Sequence, residues 1–318
     1  MNNRRKFFKQ SVLASAALAV GNFAGFALEN SLNSEEKITE NKSIKQMTLA
    51  TISWTFGLDD LDELFTKVKE IGYTGLQFCG DFKKYKAEEV VAKSKEYGIA
   101  LTSYDPLSCK PDTDEDATLE KSVAFYKQVI DYALALGVPM STLQGLSFWT
   151  KNQPNYEASM EQIAQAVKQL SDYAKGKNIL LSYEACCHYE VPQAQTADEL
   201  LRIYKDAGSP SNVKLVLDSF HMNITEKDMI SPIKAIGGDL LYSYHVSDSG
   251  RGGIGTGHID YLAQFNTLKE VGFNDLLCFE IVIAECRPYK LPMNKEQMEE
   301  FVKQSKYSLN IWKTMMNT

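Results

Sequence analysis

The chain has 318 residues, 34 of them Lys or Arg against 41 Asp or Glu, for a formal net charge of −7. Four basic residues and no acidic ones fall within residues 1–27, which leaves 30 basic against 41 acidic groups, a net −11, on the remainder. That balance argues against a nucleic-acid partner, because there is no basic excess to release counterions, and six cysteines are too few for a disulfide scaffold at this length.

Residues 1–27 read as a twin-arginine-type export signal. Arg4 and Arg5, with Lys6, Phe7, Phe8 and Lys9, precede an apolar run from Val12 to Ala27 that is too short for a stable membrane span. Gly25-Phe26-Ala27 offers small residues for cleavage, and no cysteine is there to carry a lipid anchor. Residues 28–46 are polar and charged without an apolar period, as in a flexible leader. The expectation is a periplasmic protein that uses the twin-arginine export machinery and has no stable membrane anchor.

From Met47 one pattern recurs: an amphipathic helix, a glycine, then a short apolar run. "LDELFTKVKEIGYTGLQF" shows it through Gly72, and further copies run through Gly98, Gly137, Gly176, Gly208, Gly237-Gly238 and Gly272. Glycine suits the residue after a helix, where positive φ is common. The apolar runs are four to six residues long and apolar on both faces, as buried parallel strands should be. With "MTLATIS" (Met47–Ser53) as first strand, eight strand-helix units span residues 47–318. That count predicts an α/β fold, a closed (β/α)8 TIM barrel forming one domain. A doubly wound open sheet is the alternative, but no dinucleotide-binding glycine fingerprint follows the first strand at "ISWTFG".

In such a barrel the chemistry lies where strands end. "ILLSYE" ends at Glu184, "VKLVLD" at Asp218, "LLYSYH" at His245 and "LLCFE" at Glu280, with His221 three residues beyond Asp218. The gaps of 34, 27 and 35 residues are about one strand-helix unit each. Four residues able to bind metal therefore arrive at one rim from consecutive strands. Any one of them alone is compatible with a surface charge or, for Asp218, a helix cap; together they make an oxygen-rich set with one nitrogen. That composition suits Mn²⁺, Co²⁺ or Mg²⁺, and Zn²⁺ less specifically.

The set Glu184, "LDSFH" (Leu217–His221), "HVSDSGR" (His245–Arg251) and Glu280 resembles the sugar isomerase/epimerase family that shares the xylose isomerase-like barrel, with ketose 3-epimerases as the mechanistic model. The resemblance covers residues 47–318. It implies that Glu184, Asp218, His245 and Glu280 ligate one divalent metal and that Glu184 and Glu280 are the acid/base pair on opposite faces of a bound sugar. It also implies that His221, Arg251 and Glu190 hold substrate oxygens, with His188 a further substrate contact although its loop "CCHYEVPQ" departs from the pattern. Gln77 stands where many relatives have a glutamate.

The implied reaction is proton abstraction next to a carbonyl, through a metal-stabilised enediolate. Export favours an unphosphorylated sugar as substrate. The same apparatus would serve a 3-keto-glycoside lyase or hydratase; an endonuclease IV-like nuclease needs more histidines than the four present, and a non-catalytic sugar-binding protein would not need both glutamates. Trp54, Phe56, Phe148 and Trp149, after strands one and four, are expected as an apolar wall for the sugar or as packing for the barrel mouth. His258 is expected to be a loop histidine and Asp260 the cap of the next helix. A stripe of Phe301, Leu309, Ile311 and Trp312 on the last helix is expected to close the barrel, with a homo-oligomer as the other use of that face.

Overall fold

The computed structural model describes residues 47–317; the expected signal (1–27) and leader (28–46) lie outside the described residues. Eight parallel strands pair in chain order: β1 (Thr48–Ile52), β2 (Gly75–Gly80), β3 (Ala100–Pro106), β4 (Met140–Thr142), β5 (Leu180–Glu184), β6 (Val213–Asp218), β7 (Leu241–Val246) and β8 (Leu276–Phe279). Pairing of β8 with β1, from Thr48 opposite Leu276 to Thr51 opposite Phe279, closes the barrel and rules out the open sheet.

Around it lie α1 (Leu61–Ile71), α2 (Ala87–Tyr97), α3 (Leu119–Leu136), α4 (Tyr156–Ala174), α5 (Ala197–Asp206), α6 (Ser219–Thr225), α7 (Ser231–Ile236), α8 (Tyr261–Glu270) and α9 (Lys295–Met316). The local causes are plain in α1. The Asp60 side chain caps its start by accepting from the Glu63 amide at 2.9 Å, and Leu64, Phe65, Val68 and Ile71 form the buried face. Gly72 ends it at φ +99°, a left-handed conformation that a side chain would strain.

Two strand ends matter for the rim, and that of β8 differs from the sequence expectation. β3 runs past Tyr104, which places Asp105 at the barrel mouth. β8 stops at Phe279, so Glu280 is the first residue beyond the strand, yet its amide still donates to the Val246 carbonyl at 3.1 Å. Glu280 is thus held by β7 while its side chain is free of the pleat.

The stripe on α9 is buried at Phe301, Leu309 and Trp312. Trp312 meets Phe265 and Tyr261 of α8 edge-on at 5.6 and 6.3 Å, and Lys306 pairs with Glu70 of α1 at 3.4 Å. α9 therefore packs between α8 and α1 and seals the ring of helices. Phe56 belongs to this packing, not to a wall at the mouth. The 3₁₀ turn Ser53–Phe56 directs its ring onto Phe301 at 4.8 Å, where it is fully buried. All six cysteines are free thiols. Among the described residues no helix is long and apolar enough to cross a membrane.

Truncating a fully buried aromatic removes both transfer energy and packing. Trp312→Ala is expected to lower the unfolding free energy by about 3–5 kcal/mol, read from the midpoint of a urea titration. A loss under about 1 kcal/mol would mean that α9 does not seal the barrel.

Candidate active site

β5, β6 and β7 end in Glu184, Asp218 and His245, and Glu280 follows β8. One ligand atom from each lies within 4.8 Å of the other three. Asp218 does two jobs. Its Oδ1 caps α6 by accepting from the Phe220 amide at 2.7 Å, while Oδ2 is buried without a hydrogen-bond partner. Glu184 Oε1 is likewise buried and unpartnered. His245 presents Nδ1 to the carboxylates, 2.8 Å from Glu280 Oε2 and 3.4 Å from Glu184 Oε1. Buried acceptors left without donors, converging on one imidazole nitrogen, are what a divalent cation would complete, so these residues fit a metal ion.

The charges are strongly biased. Burial raises the Glu184 carboxyl well above its ordinary range, and the Glu280 and Asp218 carboxylates reinforce this against the pull of His245. Burial likewise pushes Asp218 up to about 6, opposed by Arg251. Burial also opposes ionisation of Glu280, but Arg251 and His245 outweigh it and hold that carboxyl below its usual range. Burial disfavours the charged form of His245, yet Glu184 and Glu280 overcome it and raise the imidazole to about 10.

A second tier surrounds this cluster. Arg251 donates from Nη2 to Glu280 Oε1, and its Nη1 lies 3.7 Å from Asp218 Oδ2 and 3.8 Å from Glu190 Oε1. The guanidinium lies over Phe220 at 4.8 Å and Trp54 at 5.7 Å. The Trp54 indole N–H donates to Glu280 Oε1 at 3.0 Å. His221 accepts the Cys187 amide on Nδ1 at 3.2 Å; its Nε2 is 3.1 Å from Arg251 Nη1 and 3.6 Å from Glu190 Oε2. Burial, then Arg251, lowers the His221 pKa well below its usual value, so the ring is neutral.

The structure thus brings together Glu184, Asp218, His245, Glu280, His221, Arg251, Glu190 and Trp54. The remaining candidates have other surroundings. Trp149 is buried against Phe125 at 5.4 Å and gives its indole N–H to the Cys109 carbonyl at 2.8 Å, which makes it packing for the mouth. Phe148 is partly buried under the Lys110 ammonium at 4.8 Å. His188 is exposed, edge-on to Tyr189 at 5.5 Å, in a cleft that it shares with Glu190. His258 is an exposed loop residue paired with Ser249 Oγ at 2.9 Å, and the Asp260 side chain caps α8.

Three residues outside the sequence expectation complete the site. Asp248 ties down the loop that carries Arg251. Its Oδ1 accepts from the Ser249 and Ile259 amides, its Oδ2 from the Gly255 amide, and its carbonyl from the Arg251 amide at 2.6 Å. Arg251 itself sits at φ +64°, and a Cβ on Gly257 would come within 2.4 Å of Asp248 Oδ1. Tyr289, beyond β8, packs on Trp54 at 5.9 Å and stands beside Glu190. Asp105 accepts from Gln77 Nε2 and Thr142 Oγ1, so a buried carboxylate does stand beside Gln77.

Residues 65–304 match the family model described as xylose isomerase-like TIM barrel. The L-ribulose 3-epimerase of Methylomonas sp. (strain DH-1) is 31% identical over 202 residues, which cover 62% of this chain and 69% of that protein. A ketose 3-epimerase of Arthrobacter globiformis is 26% identical over 235 residues, covering 71% and 80%. The solved structure of an L-ribulose 3-epimerase superposes with a TM-score of 0.73 at 22% identity, over 86% of this chain and 96% of that one, and shares the fold.

A metal ion takes the deprotonated forms of its ligands. Glu184 raised well above its ordinary range and His245 raised to about 10 mean that the metal-free site carries protons at neutral pH, which binding must expel. Apparent Mn²⁺ affinity is therefore expected to rise with pH from 6 to 9. Calorimetry in two buffers of different ionisation enthalpy should detect the released protons; a pH-independent affinity would contradict this.

Proposed function

The chain belongs to the xylose isomerase-like TIM barrel family and is an isomerase-class enzyme, and on that premise we propose that it epimerises an unphosphorylated sugar by proton transfer at a carbon beside a carbonyl. The observation that carries this reading is the convergence of Glu184, Asp218, His245 and Glu280, with the two glutamates delivered from strands on different sides of the mouth. These four residues would hold one divalent ion, Mn²⁺, Co²⁺ or Mg²⁺ by donor type, with Zn²⁺ compatible. When bound, that ion supplies the positive charge that acidifies the hydrogen beside the carbonyl.

The remaining steps belong to the chain. One glutamate removes the proton from one face and the other returns one from the opposite face, which inverts the centre; the reverse substrate exchanges their roles. Glu280 is the more constrained of the two, fixed by Trp54, Arg251 and His245. Arg251 adds a fixed cation beside the oxygen that gains negative charge. Neutral His221 and Glu190 face the same space and would orient hydroxyls, and Trp54 with Tyr289 offers an aromatic wall to the sugar's carbon face.

The Gly252–Gly257 turn supports an unphosphorylated substrate. A phosphate cradle needs free amides. Here Gly253 donates to Gln304, Ile254 to Ser308, Gly255 to Asp248 and Thr256 to the Gly253 carbonyl. The N-terminal pattern around Arg4 and Arg5 supports export to the periplasm by the twin-arginine route, where free sugars are the available class.

The direct test incubates signal-free protein with Mn²⁺ in D₂O, first with unphosphorylated ketohexoses and then with a 3-keto-glucoside, followed by proton NMR. The expected result is deuterium at C3 of a ketose with a second sugar appearing, reduced about 10²–10⁴-fold by Glu184→Gln or Glu280→Gln. Release of the aglycone from the keto-glucoside would move the reading to a lyase or hydratase on the same site. No exchange in either substrate would refute the proton-transfer reading. Arg4→Lys with Arg5→Lys is expected to leave the protein in the cytoplasm; unchanged export would refute the twin-arginine route.

A further inference from the structure

The layer directly below the rim has unusual chemistry for a barrel interior. Such layers are dominated by Val, Ile and Leu. Here Ser103, Ser182 and Ser243 occupy it, each two residues before Asp105, Glu184 and His245 on β3, β5 and β7. All three serines are buried, and the Ser103 and Ser243 hydroxyls have no hydrogen-bond partner. They line a small cavity whose other walls include Glu184, His245 and Gln144. Tyr242 also lines it, its hydroxyl donating at 3.0 Å to the Thr102 carbonyl of β3. The cavity measures about 10 Å³, near the room that one water needs.

His245 gives this layer a purpose. Its Nδ1 faces the carboxylates, so when Nδ1 ligates a cation the ring hydrogen is on Nε2. That N–H is buried and has no partner, which is unfavourable if left so. A metal-ligating histidine ordinarily donates its other N–H to a carboxylate, a carbonyl or a water, which fixes the ring and tunes its basicity. No carboxylate or carbonyl is bonded to Nε2 here. The cavity walls instead carry acceptors. The Thr142 proton and the Gln77 amide nitrogen are both committed to Asp105, and the Gln144 amide nitrogen is directed at Cys186, which leaves Gln144 Oε1 without a partner.

We propose that this cavity holds one ordered water that accepts the His245 Nε2–H and is fixed by Ser103 and Ser243. Those two serines are then positioning residues for the metal-ligating imidazole. The proposal rests on the reading that Glu184, Asp218, His245 and Glu280 hold a metal, and it assigns to that site a supporting layer outside the ligands themselves. A water there has the two to four polar partners that a buried water requires.

The test uses the signal-free protein and its Ser103→Val, Ser243→Ala and Ser103→Ala/Ser243→Ala variants. Ser103→Val fills the cavity; the alanines remove the hydroxyls and leave the space. Mn²⁺ affinity is measured by calorimetry, the metal-free thermal midpoint by circular dichroism, and the His245 ring by long-range ¹H–¹⁵N NMR of the metal-free protein. The expected result for Ser103→Val and the double variant is a 10–100-fold weaker Mn²⁺ affinity and a shifted Nε2 resonance, in variants that circular dichroism shows to be folded. A purely structural role would leave the imidazole signal unmoved whatever happens to the midpoint. Wild-type affinity and an unchanged Nε2 signal in all three folded variants would overturn the proposal while leaving the metal site standing. Failure of the wild-type protein itself to bind Mn²⁺ would overturn both.

Discussion

Three carboxylates buried around one imidazole and one guanidinium make the arrangement on which the rest of this structure depends. Two unit charges about 4.8 Å apart repel by roughly 3–4 kcal/mol at an effective dielectric constant near 20, and the site contains three such pairs of carboxylates. His245 and Arg251 relieve only part of this. The relief is uneven: Glu280 is held ionised by both cations, while Glu184 and Asp218 are pushed toward their protonated forms. Such a cluster is unfavourable as mere packing and becomes favourable once a divalent cation joins it. The same cation is what the proposed chemistry needs, so the electrostatic demand of the metal-free site and the catalytic demand coincide.

The barrel meets that demand by division of labour. Strand ends place the four clustered residues, because a parallel closed sheet brings residues about one strand-helix unit apart to a common rim. The β7–α8 loop places the counter-charge. Asp248 spends both carboxylate oxygens on loop amides, and the resulting turn holds Arg251 in a left-handed backbone conformation with its guanidinium against Glu280. The segment after β8 then reaches over the mouth through Tyr289, joining Trp54 on one side to Glu190 on the other. α9 is remote from the chemistry, but it seals the helical ring on which the closed register rests.

The repeat of amphipathic helix, glycine and apolar run made the barrel legible in the sequence, because each element follows from local periodicity. The four clustered residues were legible for a related reason: each is the polar residue that ends an apolar run. Asp105 ends a less clear run: in "IALTSYDP" Thr102 and Ser103 already interrupt the apolar residues, so the polar residue at the end of β3 does not stand out. Tyr289 and Asp248 were not legible at all. Their roles depend on how loops fold over the mouth, which no periodicity records. The aromatics after strands one and four divided for a similar reason. Trp54, which donates to Glu280, and Phe56, which packs outward on α9, stand two residues apart in one 3₁₀ turn, and sequence spacing alone does not say which ring faces the site.

The central claim is that four side chains from consecutive strand ends form a single divalent-metal site. Anomalous diffraction from crystals of the Mn²⁺-loaded protein addresses it most directly. The account predicts one strong peak, about 2.0–2.3 Å from Nδ1 of His245 and from one oxygen each of Glu184, Asp218 and Glu280. A peak elsewhere, or one at the rim that leaves either glutamate uncoordinated, would contradict it.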